Sequence, residues 1–137
     1  METARRHGHC VTCNALLLPE AVRVAIAHGR DDEADELARR LEKIAEEFGS
    51  RAWVAMARHA RARVLGSRGE WDAGCAALRA ARDAYLASDA IYDAARCRAL
   101  EAEFLAASGP DLKAKAAELA AQAREVFALL GAPGIEN

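Results

Sequence analysis

Glycines stand at positions 29, 69 and 109, forty residues apart each time. A fixed period of that length marks a chain built from stacked copies of one small unit, and it constrains the fold more than any single motif does. Laying residues 50–69 over 90–109 matches Ala55 with Ala95, Arg58 with Arg98, Ala62 with Ala102, Leu65 with Leu105 and Gly69 with Gly109. The unit must be helical. The chain holds 35 alanines and 14 leucines against 12 valines, isoleucines and threonines together, so good helix formers outnumber the β-branched residues that favour strands. At 137 residues there is room for one domain.

Within each period the apolar spacing is that of two amphipathic helices. The second helix, Asp31 to Phe48, places Ala34, Leu37, Ala38, Leu41, Ile44, Ala45 and Phe48 on one face, with Asp32, Glu36, Arg39, Lys43 and Glu46 opposite. The stripe returns with Trp71, Cys75, Leu78, Ala81 and Tyr85, and again with Leu112, Ala116, Leu119, Ala123, Val126 and Leu130. First helices near Val11 to His28, Ser50 to Arg68 and Asp89 to Ser108 carry fewer large residues and should pack on both neighbours. The spacing predicts an all-α fold of three antiparallel hairpins, about six helices in all. A basic segment containing Cys and His covers 1–14, the helical repeat domain 15–132 and a frayed tail 133–137.

The punctuation agrees. Ser50 and Asp89 are expected to cap the third and fifth helices, because a side-chain oxygen there can accept from an otherwise unpaired amide. Pro110 suits a first helical turn, where a missing N–H is harmless. Gly131 and Pro133 close the last helix. Pro19 falls inside the first helix and predicts either a kink near Leu18 or a fresh start at Pro19. Trp71, directly after the Gly69-Glu70 turn, is placed to lock one hairpin against the next.

Two helices per period, the turn GEWDAG at residues 69–74 and the alanine-rich faces resemble tetratricopeptide repeats. They are similar in particular to the roughly forty-residue helical repeats in the sensor arms of bacterial MalT- and LuxR-type regulators. The resemblance covers about Leu16 to Ala132, with Gly69, Trp71, Gly74 and Leu78 on the turn glycine, aromatic, small and bulky positions of the repeat. Arg61 and Glu101 stand where that repeat has a large apolar residue. The resemblance implies a short right-handed array whose first helices line the concave surface, and a regulatory or scaffolding role in binding a protein or peptide. No helix-turn-helix follows Ala132, so the chain alone is not expected to bind DNA.

Charge points the same way. With 19 basic and 21 acidic side chains the net charge is −2, which lacks the basic footprint of a nucleic-acid binder. Glu20 and Arg23 interrupt the most hydrophobic stretch, Ala15 to Ala27, short of the roughly 18 apolar residues that span a bilayer. Four cysteines are too few for a secreted disulfide scaffold, so a reducing cytoplasm is the expected setting. Catalytic signatures such as GxSxG, HExxH or a phosphate-binding glycine loop are absent, and the chain reads as non-catalytic.

Two groups of residues could carry function. Arginines crowd the first helices while acids crowd the second helix, and two readings follow. Either the arginines bridge to the acidic helices, or Arg23, His59, Arg63 and Arg96 form a groove for an acidic peptide, whose carboxylates a guanidinium fork pairs well. His59, like His28, also admits a plain capping or solvent-facing role. The second group is His7, His9, Cys10 and Cys13, four soft-metal ligands within seven residues. It is open to three readings: a mobile basic tail, a zinc site lacking its second half, or C-x-x-C redox chemistry. No cofactor is expected outside the zinc reading. Cys75 and Cys97 read as small apolar residues at helix contacts. Three repeats leave an end face through which two copies can pair as a homodimer.

Overall fold

Alanine-rich sequence with turn residues at regular intervals gives six α-helices and no strand among the described residues. The structure is a computed structural model and describes residues 11–131, with side chains from Leu16 onward. The helices are α1 (Val11–Ala27), α2 (Asp31–Phe48), α3 (Arg51–Ser67), α4 (Trp71–Ala87), α5 (Ile91–Ser108) and α6 (Lys113–Leu129), with a 3-10 turn at Pro110–Leu112 before α6. Each helix packs on its neighbours in the chain, and α1 packs on α3 as well. The packing does not bring α6 back onto α1.

The glycine period has a geometric cause at two of its three points. Gly29 and Gly69 adopt left-handed φ values of 72° and 74°. At the first, the Gly29 amide donates to the Ile26 carbonyl and that of Arg30 to Ala25; at the second, Gly69 donates to Gly66 and Glu70 to Leu65. This paired closure satisfies carbonyls that a helix end would otherwise leave open. Gly109 departs from it. The next residue is Pro110, which has no N–H to donate, so the closure cannot form and Gly109 stays extended at φ 170°. A 3-10 turn takes its place, and the third hairpin slips by two residues. Gly74, Ala81 and Tyr85 lie forty residues after buried Ala34, Leu41 and Ala45, but their counterparts Ala116, Ala123 and Phe127 lie forty-two further on. Leu112 accordingly falls in the turn and is exposed.

Among the expectations about helix ends, that for Ser50 stands and that for Asp89 needs correction. Ser50 caps α3, its hydroxyl accepting from the Trp53 amide at 3.5 Å. Asp89 does not cap α5. It takes the left-handed position itself, at φ 59°, and Ala90 donates to the Tyr85 carbonyl, so Asp89 occupies the place glycine holds in the other two turns. Pro19 starts no new helix; α1 runs through it. Leu18, Val22 and Ala25 are buried against α2 and α3, and this packing holds the helix together across the missing hydrogen bond.

The core lies in three successive patches. Leu18, Val22, Leu41 and Val64 join α1, α2 and α3; Leu78, Tyr85, Leu100 and Phe104 join α3, α4 and α5; Ala95, Ala123 and Phe127 join α5 and α6. α3 serves the first two at once, through Ala57, Ala60 and Val64 on one side and Ala55 and Ala62 on the other. Phe104 is the key between hairpins. Its ring lies so close to Gly66 and Gly74 that a Cβ would come within 2.3 Å and 2.8 Å of it, and Trp71 sits 5.5 Å away, centroid to centroid.

Arg61 and Glu101 are explained by pairing. Arg61 reaches back to α2, donating to Glu42 at 2.8 Å and to Asp35. Glu101, nearly fully buried on α5, accepts from Arg79 of α4 at 2.9 Å and faces Arg82 at 3.9 Å. Glu42 and Arg61 correspond, forty residues on, to Arg82 and Glu101: the same pair with its signs exchanged.

Candidate ligand groove

Side chains of α1, α3 and α5, with Tyr85 of α4, line one cavity, and α3 packs directly on α1. His59 and Arg63 are four residues apart on α3 and so share a face. Arg23 of α1 and Arg96 of α5 approach from either side, and all four line one cavity of about 290 Å³. Arg23 is bound by Glu20 one turn earlier, and Arg96 by Asp93 at 3.4 Å. Arg63 makes no hydrogen bond or ion pair among the described residues. It is half-buried, and desolvation together with the charges of Arg96 and Arg23 holds its pKa below the ordinary value, with Glu103 offsetting only part.

His59 is buried at 5 % exposure. Its Nδ1 lies 3.3 Å from the Tyr85 hydroxyl, the two rings meet edge to face, and its Nε2 is buried with no hydrogen-bond partner among the described residues. Burial first, then Arg63 and Arg96, pull its pKa down to about 3, so the imidazole is neutral at physiological pH. Burial likewise raises the Tyr85 hydroxyl. The solvent-facing reading of His59 is therefore wrong: α3 is covered on two sides, and its apparently polar face is an interior one.

A second cavity of about 320 Å³ adjoins the first. Ile26, Trp71, Leu100 and Phe104 supply its apolar walls, and Arg23 and Arg63 line both cavities. The groove thus has a polar chamber and an apolar one, with Arg63 between them.

Comparison with protein-family models, with curated proteins and with solved structures yields no match. The reading of the groove therefore rests on its own chemistry.

Arg61 and Arg68 follow the bridging reading. Both approach Asp35, whose carboxyl is held below its usual range chiefly by the hydrogen bond from Arg61; Arg58 is exposed. His7, His9 and Cys10 lie outside the described residues, and so does the side chain of Cys13. Among the described residues no group of three or more His, Cys, Asp or Glu could hold a metal ion. Cys75 and Cys97 are buried free thiols, and burial pushes Cys97 up to about 12, which fits their reading as packing residues. Sequence reasoning missed Tyr85, Trp71 and Phe104 as groove residues. Tyr85 and Trp71 lie on the apolar stripe of α4, where a core role accounts for them fully; only contact with α3 and α5 reveals the second one.

Proposed function

We propose that this chain is a non-catalytic interaction module, a short tetratricopeptide-like right-handed array whose odd-numbered helices receive an acidic segment of a protein partner. The observation that carries this reading is Arg63, half-buried between Arg23 and Arg96, with no carboxylate hydrogen-bonded to it among the described residues and only partial compensation from Glu103. A partner carboxylate would supply it. Hydrogen bonds to charged groups contribute about 1.5–3 kcal/mol, so replacing Arg63 and Arg96 by alanine should weaken a fluorescent Glu-rich peptide by about tenfold or more. Added salt should weaken the wild-type complex too. Fluorescence anisotropy measures the affinity and circular dichroism checks that helicity is unchanged. Undiminished binding by a fully helical double variant would refute the groove.

A further inference from the structure

The apolar chamber has the character of a small-molecule site. Its volume of about 320 Å³ falls within the range typical of such sites, and its walls are hydrophobic and aromatic with few polar groups. Ile26, Leu100, Phe104 and Trp71 come from three different helices, so a ligand there would touch every hairpin but the α6 side.

The charges around it narrow the ligand further. Arg23 has Glu20, Arg96 has Asp93, and Arg63 alone has no bonded anion among the described residues. A neutral ligand would leave that guanidinium as it is. A cation would be repelled by Arg23 and Arg63. A phosphate would bring close to two negative charges beside the Glu103 carboxylate, which lines the same chamber and already offsets part of the charge of Arg63. A single carboxylate brings half that charge and supplies the hydrogen-bonded anion that Arg63 lacks among the described residues, and a guanidinium fork binds it through two parallel hydrogen bonds. His59 lines the neighbouring polar chamber, and its buried Nε2 has no hydrogen-bond partner among the described residues.

We infer that the groove binds a small monocarboxylate with a compact aromatic or branched apolar body, the body between Trp71, Phe104, Leu100 and Ile26 and the carboxylate on Arg63. This goes beyond peptide recognition and does not depend on it. Phenylbutyrate and phenylbutanol make a suitable pair of probes, since they share the apolar body and differ in the charged end. Calorimetric titration should show the acid binding about tenfold or more tightly than the alcohol, the difference expected of a charge-assisted contact. Arg63→Gln should abolish that difference while leaving the weak binding of the alcohol, and Arg63→Lys should restore part of it. In the unsubstituted protein, NMR should show contacts between the phenyl ring of the acid and the Trp71 indole, a readout that survives even if a variant fails to fold. Equal affinities for acid and alcohol, an acid preference retained by folded Arg63→Gln, absence of binding by either probe, or ring contacts elsewhere would each overturn the inference. Binding of the acid without binding of the Glu-rich peptide would remove the peptide reading alone.

Discussion

His59 is the residue whose environment departs furthest from what its type suggests. In the native state its pKa lies near 3, and in an unfolded chain near the ordinary value of about 6.5. Between those values the unfolded chain binds more protons, so native stability is full above about pH 6.5 and declines as the pH falls toward 3. The slope approaches about 1.4 kcal/mol per pH unit. Chemical denaturation at a series of pH values should show the wild type losing about 2 kcal/mol more than His59→Gln between about pH 6.5 and 4.5. Parallel curves would mean that the imidazole takes up its proton in the native state without penalty.

The helices themselves were largely legible: Asp31–Phe48 follows directly from its apolar stripe, and Ser50 caps where its side chain suggests. What periodicity misses is whatever depends on a second helix. Pro110 breaks the forty-residue register because a donor is missing from a turn, which no comparison of side-chain types reveals. Arg61 and Glu101 looked like faults in the repeat, yet each meets opposite charges on the preceding helix. The exchanged signs at these two equivalent positions favour the observed order of helices, since pairing α5 with α2 would set Glu101 against Asp35 and Glu42. Packing between elements is equally specific. Gly66→Ala improves helix propensity, yet its methyl group would collide with the Phe104 ring. We expect Gly66→Ala to lower stability by about 1–3 kcal/mol, and Gly66→Ala with Phe104→Leu to recover part of that loss relative to Phe104→Leu alone. Thermal denaturation of the three variants measures the coupling; strict additivity would contradict the contact.

Across the molecule, small side chains let helices approach closely, and three modest core patches replace one thick core. No helix among the described residues is long and apolar enough to cross a membrane. Side chains of α1, α3, α4 and α5 line two adjoining cavities, while Asp35 and Glu42 of α2 and Arg79 and Arg82 of α4 take up the bridging charges. That division was partly visible in the sequence, where Arg23, His59, Arg63 and Arg96 could be grouped by helix; the apolar chamber was not, because its walls are drawn from residues each of which also serves the core. The central claim is that this groove is the surface the molecule uses. An amide chemical-shift titration with the Glu-rich peptide tests it most directly. The account predicts perturbations clustered around Arg23, Arg63 and Arg96 on the odd-numbered helices; shifts confined to the outer faces of α2, α4 or α6, or none at saturating peptide, would contradict it.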